Sequence, residues 1–453
     1  MTLTPVRPSG VTGDGDALSV TTAPAPRRSA TPSVATYHTI GIGAGPANLS
    51  FAALFEKAGA PHQMGLFDRQ PGPQWHPSLL FSGVRMQTSW LKDLVTLVDP
   101  QHRLSFLSYA VSSGRIFGLI NAQYDTIPRG EYMRYLAWAA ERLPNIHWST
   151  PVDRVSFDED AGFTVHAGGR PAGQSDHLVL GVGTVPYVPP TFASVPPDRA
   201  IVPDDLWQHV DAMTAHRSEP VGVVGGGQTG AECALRLLRA GFTDIRWFGR
   251  RPWFQSIDDT PPANDFYRPA YQSFLQELSR PARRELVSGQ VLTGDAITPG
   301  LMRTLYQANY DAQLELGRFP LRMLPGRDVV SGELRDDVVV LEVAGTERTE
   351  WHDVRYAVLA TGRRTAPMPL DEALADRLET DEDGSLLIEP DYQVRWKGGN
   401  GHKLFALNRA RLTHGIPDAN LTLLPVRSAL AINSLLEREV YAVHDELVSI
   451  TWG

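Results

Sequence analysis

The sequence has almost no cysteine. Cys233 is alone among 453 residues. No disulfide within the chain, no thiol-based metal site and no paired-cysteine redox centre can therefore form, and a reducing cytoplasm is the expected setting. An uninterrupted apolar run of about 18 residues is also missing, so no membrane span is expected. Basic charge is not in excess: 42 Lys and Arg against 51 Asp and Glu leave a net charge of −9. That balance argues against holding nucleic acid by phosphate neutralisation. No set of His, Cys and carboxylates has metal-ligand spacing, so no metal site is expected. Residues 1–35 are rich in Ser, Thr, Ala and Pro and lack the apolar core of a signal peptide. A disordered tail is expected there.

What is present is a core-forming chain, 42% hydrophobic, long enough for two or three domains. Order is expected to begin at Tyr37, where YHTIGIGAGPANLSFAALFEKAG reads as a buried strand, a glycine turn and a helix closed by Gly59. Gly41, Gly43 and Gly45 follow one another through the turn, with Ala44 and Pro46 completing it. Glycines let the backbone approach a pyrophosphate, and the helix start offers free N–H groups and a positive dipole end. A second strand, QMGLFD, ends at Asp68, where an acid can hydrogen-bond a ribose hydroxyl. With Gly41 and Gly43 as the first two glycines, the third fingerprint position is Pro46.

The pattern recurs in EPVGVVGGGQTGAECALRLLRAGFTDIRWFGRR. Gly225, Gly227 and Gly230 complete GxGxxG, Gln228 and Thr229 lie between them, and Gly241 closes the helix. The following strand ends in Arg250 and Arg251 instead of an acid. A guanidinium can pair with a 2′-phosphate that an acid would repel, so this second site is expected to prefer NADPH, with Arg250 as the first candidate. The glycine-marked strands HLVLGVGTVPYVPP and YAVLATGRRTAP are expected where the chain leaves a first nucleotide domain and returns to it.

Several further segments resemble the flavin-dependent N-hydroxylating monooxygenases of siderophore biosynthesis, which act on lysine, ornithine or diamines. They are GIGAGPANLS (41–50), QWHP (74–77), MQTSWLKDLVTLVDP (86–100), GGGQTGAE (225–232), DDTPPANDFYRP (258–269), LYQANYD (305–311) and THGIPDANLTLLPVRSALAINSLL (413–436). The likeness spans about residues 37–440. The FxGxxxH fingerprint of Baeyer–Villiger and flavin-containing monooxygenases is missing from DDLWQHVDAMTAHRSEPVG. Arg363 stands where the family usually has Tyr after ATG.

The resemblance implies an α/β protein with two Rossmann-like domains, for FAD and NADPH, and a small, mostly helical substrate-binding region. The expected boundaries are a tail over 1–35, the FAD domain over 36–200 and again over 353–445, and the NADPH domain over 201–352 with a substrate insert at about 258–320. It implies FAD contacts from Gly41, Gly43, Ala44, Gly45, Pro46, Asp68, Trp75, His76 and Gln87, and from Asn420 and Leu421 in the C-terminal loop. NADPH would meet Gly225, Gly227, Gln228, Thr229, Gly230, Arg250 and Asn309. Lys92 would hold a substrate carboxylate, with Asn264, Asn309 and Thr422 completing the amine site. His414 would pack in the loop and against the flavin. No side chain is expected to act as a catalyst in its own right, Asn309 being the nearest candidate, because the flavin carries the chemistry. NADPH would reduce FAD, molecular oxygen would give a C4a-hydroperoxide, and the neutral substrate amine would attack it. Lysine's amine has pKa about 10.4, so only about one molecule in a thousand is neutral at about pH 7.4. Amides are therefore expected around the reacting nitrogen, and carboxylates are not.

The expected reaction is N-hydroxylation of L-lysine or of a diamine such as cadaverine or putrescine, with L-ornithine as the alternative. A flavin reductase that inserts no oxygen needs neither LKDL nor HGIPDANL, and a nucleotide-binding regulator would show no turnover. The family further implies a homodimer or homotetramer.

Overall fold

A computed structural model describes residues 34–58, 63–80, 83–443 and 447–453. The expected tail as far as residue 33 and the helix-closing Gly59 lie outside these, and Ala35, the last residue expected in the tail, already belongs to a strand. The chain begins with β1 (Ala35–Ile42), α1 (Pro46–Lys57) and β2 (Met64–Phe67). Strand β1 is central and pairs in parallel with β2 and with Arg170–Leu180. Covered on both faces, β2 and the second half of β1, Thr39–Ile42, are buried throughout. Ile146–His147 and Leu404–Ala406 extend the parallel part, while Val152–Asp158 and Gly162–Ala167 add an antiparallel wing.

The second half carries β3 (Val221–Val224), α2 (Gln228–Arg239), β4 (Ile245–Gly249) and α3 (Pro299–Leu316). Its sheet is parallel throughout, in the order Leu321–Pro325, β4, β3, Tyr356–Leu359, Ala200–Ile201. Two Rossmann-like units are thus present, as expected. The insert is helical, with Pro269–Glu277, Arg280–Gly289 and α3 as its main helices. An antiparallel sheet of Asp328–Arg335, Val338–Ala344 and Thr349–Val354 was not foreseen.

The boundaries need correcting. Tyr356–Leu359 belongs to the second sheet, so the chain does not return at 353. It returns at Arg363–Thr365, which pairs antiparallel with the outgoing Thr184–Pro186. Arg363 pins this junction. It donates to both carboxylate oxygens of Asp204, at 2.9 and 2.7 Å, and to the Thr184 side chain and carbonyl, at 2.8 and 2.9 Å. After the return, α4 (Leu424–Leu435) packs beside α1, joined by a Ser428–Ser50 hydroxyl bond of 3.0 Å.

Candidate active site

The two glycine turns are built alike. Gly43 N donates to Phe67 O at 2.7 Å, and Gly225 N donates to Phe248 O at 3.0 Å. Both glycines have positive φ, +90° and +126°. A Cβ on Gly43 would lie 2.5 Å from Gly181 O, and one on Gly225 would overlap Ala360 O. A Cβ on Gly45 or Gly227 would meet nothing within 4 Å. Each turn thus has one glycine for its bend and one facing open space, followed by a helix start with no side-chain cap. Uncapped N–H groups beside an open glycine suit a pyrophosphate.

This equivalence corrects the register of the first motif. Gly41 lies inside β1, where it packs against Leu66, and is not part of the turn. The fingerprint begins at Gly43, and its third position is Asn48. There the Asn48 amide donates to the carbonyls of Ile42 and Gly43 at 3.0 and 2.7 Å. Pro46 opens the helix, where its missing N–H costs nothing. Asp68 accepts from Ala44 N at 2.6 Å and from Gln70 N at 2.7 Å, so its carboxylate sits against the turn. Gly249 occupies the corresponding place in the second unit, followed by Arg250.

A cleft of about 750 Å³ joins the two units. Trp75, His76, Gln87, Asn420 and Leu421 line one side; Gly225, Gly227, Gln228, Thr229 and Arg250 line the other. His76 adopts a left-handed conformation with φ of 48°. Burial, then the nearby Arg129 and Arg363, push its pKa down to about 4, so the imidazole is neutral at neutral pH. Several further residues line the cleft without a sequence motif to mark them. Trp253 is a 61% exposed ring beside Arg250 and Arg251, and Arg129, Glu232 and Arg327 also line the cleft.

The C-terminal loop is held from beneath. Arg427 is fully buried and donates to Asn408 Oδ1 at 2.5 Å and to Asp418 O at 2.8 Å. His414 stacks on Tyr392, with ring centroids 3.8 Å apart, and bonds Pro390 O at 2.9 Å. Burial first pushes its pKa down to about 4. His414 thus packs within the loop, and it does not line the cleft where packing against the flavin was expected of it. Thr422 does not line the cleft. It is buried, and its N and Oγ1 both donate to Asn420 Oδ1, at 2.8 and 2.7 Å. That leaves the amide nitrogen of Asn420 as the group it can offer.

Lys92 is half-buried, and burial lowers its pKa. It has no ion pair among the described residues. Neighbouring Asp93 is instead spent on the N–H groups of Val95, Thr96 and Phe106, at 2.8, 2.7 and 2.6 Å. The Lys92 Nζ lies 6.0 Å from the centre of the Tyr267 ring, in the insert. Asp265–Tyr267 in turn packs on Ile416–Ala419. Tyr267 thus touches Lys92 on one side while its own turn bears on Ile416–Ala419 on the other; neither Lys92 nor Asn264 lines the cleft. Asn264, in the same insert, is exposed and donates to its own loop at Asp259 O and Thr260 O, 2.9 and 3.2 Å away.

Asn309 is not brought to the cleft. It is 7% exposed, and its amide closes a two-bond ring on Leu321, donating to O and accepting from N at 3.0 Å each. The substrate and nicotinamide contacts expected of it are thus replaced by a clip between α3 and the edge strand. Asn309→Leu should strand both Leu321 groups and cost about 1–3 kcal/mol. Thermal unfolding would register the loss while the KM for amine stays unchanged. A raised amine KM with unaltered stability would restore the substrate role.

The second dinucleotide turn faces an aromatic and amide wall across the cleft, whereas the Gly43–Gly45 turn and Asp68, built alike at the end of β1, do not line it; two such turns define a two-nucleotide flavoprotein oxidoreductase. Residues 35–365 match the family model described as L-lysine 6-monooxygenase/L-ornithine 5-monooxygenase. The chain belongs to this family and is a flavin-dependent N-hydroxylating monooxygenase. It is 29% identical over 429 residues to the L-lysine N6-monooxygenase of Escherichia coli, covering 91% of this chain and 97% of that one. Its identity to the putrescine N-hydroxylase of Shewanella oneidensis is 27% over 434 residues, covering 92% and 84%. The fold superimposes on the FAD-bound cadaverine monooxygenase of Erwinia amylovora with a TM-score of 0.85 at 25% identity, covering 92% and 98%. No helix among the described residues is long and apolar enough to cross a membrane.

Proposed function

We propose that the protein hydroxylates N6 of L-lysine with FAD, NADPH and molecular oxygen, giving the hydroxylamine from which hydroxamate siderophores are made. Lys92 is the observation that carries the choice of an amino acid. A half-buried cation with no ion pair among the described residues is costly unless an anion meets it, and a substrate carboxylate would meet it with a charge-assisted bond. Tyr267 lies beside Lys92 and would flank the substrate chain. A diamine is the second reading, favoured by the likeness to cadaverine and putrescine enzymes.

The Gly43–Gly45 turn and the start of α1 would hold the FAD pyrophosphate, and Asp68 would exchange its bond to Ala44 for a ribose hydroxyl. Trp75, His76, Gln87, Asn420 and Leu421 would surround the flavin ring. The Gly225–Gly230 turn, with Gln228 and Thr229, would hold NADPH. When bound, FAD passes the electrons of NADPH to oxygen and delivers one oxygen atom to the amine. The protein's part is to keep this end of the cleft dry and to hold the amine without a fixed carboxylate, so that it sheds its proton.

NADPH oxidation and hydroxylamine formation, measured together with lysine, ornithine, cadaverine and putrescine, test the proposal. Lysine should give hydroxylamine in step with NADPH consumed. Product from the diamines alone would replace lysine by the second reading. Hydrogen peroxide as the only product with all four would refute both.

Arg250 is exposed at the end of β4, whereas Arg251 reaches back to Asp295 O at 3.4 Å. Arg250→Ala should raise the KM for NADPH by ~10–100-fold, the worth of a charge-assisted phosphate contact, and barely change that for NADH. Steady-state kinetics with both cofactors read this ratio. An unaltered preference would remove Arg250 from the 2′-phosphate site.

A further inference from the structure

The cleft walls are bridged by a buried ion pair that neither binds substrate nor belongs to a glycine turn. Arg129 opens the helix Arg129–Ala140 in the flavin-side unit, and Glu232 lies in the first turns of α2 in the other. They meet bidentately, Nη2 to Oε1 at 2.8 Å and Nη1 to Oε2 at 3.1 Å. Their side chains are only 10% and 1% exposed. Arg129 also donates to Leu79 O at 3.1 Å, in the short helix that follows His76. Gln228 donates to Glu232 Oε1 at 2.9 Å, while its own oxygen accepts from Thr298 N at 2.9 Å, just before α3. One chain of bonds thus runs from the segment after Trp75 and His76, through Arg129, Glu232 and Gln228, to the start of α3.

Two features of Glu232 stand out. It is an anion close to a helix start that otherwise suits phosphate. It is also buried, and a buried ion pair adds little net stability. Its use is therefore better sought in geometry than in stability. Its bonds fix the angle and separation of the glycine turn at Gly225–Gly227 relative to the Trp75–His76 wall.

We propose that Glu232 is a positioning residue. Through Arg129 and Gln228 it sets the nicotinamide-binding unit against the flavin-binding unit at the separation hydride transfer needs, while Arg129 cancels its charge for incoming phosphates. The proposal rests on the reading of the cleft as an FAD–NADPH site. The step affected is the transfer of a hydride, two electrons with one proton, from NADPH to oxidised flavin, which leaves NADP+ and reduced flavin.

The signature is that affinity follows charge while rate follows the bridge. Anaerobic stopped-flow reduction of the FAD-loaded enzyme gives the rate, and calorimetric titration with NADP+ gives the affinity. Glu232→Gln leaves the Arg129 cation facing the phosphates. NADP+ should bind as tightly as before or tighter, while flavin reduction slows by ~10-fold or more, since a small misplacement costs that much. Arg129→Met leaves the anion, and NADP+ should bind ~10-fold more weakly. The double variant removes both charges; its affinity should return towards wild type while reduction stays slow. A purely structural role would weaken binding and slow reduction together in both single variants, and that pattern would overturn the proposal. So would reduction of Glu232→Gln at the wild-type rate. If Glu232→Gln fails to hold FAD, Arg129→Lys keeps the charge without the bidentate bridge. It should show wild-type affinity with slowed reduction, and unslowed reduction would overturn the proposal. Wild-type flavin that NADPH does not reduce at all would instead refute the reading of the cleft.

Discussion

Gly225→Ala should yield a yellow, FAD-loaded protein whose flavin is no longer reduced by NADPH. The added Cβ would overlap the carbonyl oxygen of Ala360, a backbone atom at the end of the neighbouring strand Tyr356–Leu359. It would also demand a φ of +126° from an L-residue. Neither demand can be relieved by turning a side chain, so the turn itself must open. Gly230 packs on the Gly225 carbonyl, and Trp247 donates to that carbonyl at 2.8 Å. A moved turn therefore drags the start of α2 with it. The phosphate cradle would be lost, and reduction by NADPH should fall by ~100-fold or more, as expected when binding and alignment go together. Visible flavin absorbance should persist, because the FAD turn belongs to the other sheet. Gly43→Ala should do the converse and give colourless apoprotein, since its Cβ meets Gly181 O at 2.5 Å. Unimpaired NADPH reduction in Gly225→Ala would mean that the second turn does not carry the nicotinamide cofactor.

Lys92→Met should reverse the substrate preference. With lysine, the variant loses a charge-assisted bond to the carboxylate, worth about 1.5–3 kcal/mol, so the KM should rise by roughly 10–150-fold. With cadaverine the sign is opposite. The wild-type cation would face a substrate end that is itself cationic, and a Met of similar length removes that repulsion while keeping the apolar stem. The diamine KM should therefore fall. Lys92 packs at the surface of a loop whose framework is set by Asp93, which accepts four hydrogen bonds of its own. The substitution should consequently leave folding and FAD content intact. Amine titrations of both proteins against lysine and cadaverine, scored by hydroxylamine product, decide the matter. Equal KM changes for the two amines would sink the carboxylate clamp.

The two nucleotide-binding units were legible because their signals are local. A buried strand, a glycine turn and a helix occupy about twenty consecutive residues, and parallel strands read as apolar runs. Glycine spacing alone does not set the register of the first motif: Gly41 is needed for close packing within a strand and does not bend the chain. Only a side chain's bonding, that of Asn48, marks the true third position. Asn309 shows a different limit. Its neighbours in LYQANYD resemble those of the family, yet where an amide points is decided by the edge strand at Leu321, which no local pattern reveals. The Arg129–Glu232 bridge spans 103 residues of sequence. Each partner alone reads as an ordinary helix charge, so nothing short of the tertiary fold could couple them. The domain boundary failed for a related reason. Tyr356–Leu359 and Leu404–Ala406 are both short apolar strands, and their sheet membership is set by pairing partners far away in the chain.

The ribbon formed by Thr184–Pro186 and Arg363–Thr365 means that the cofactor-reducing half enters and leaves its host through one doorway. A module whose two ends lie side by side can be lifted out or exchanged without stretching the chain that carries it. In this protein the segment between the two strands is thus separable in principle from the rest, and a foreign module with ends spaced alike could be spliced between them. Arg363, bonded across the doorway to Thr184 and Asp204, is the latch that a replacement module would have to match.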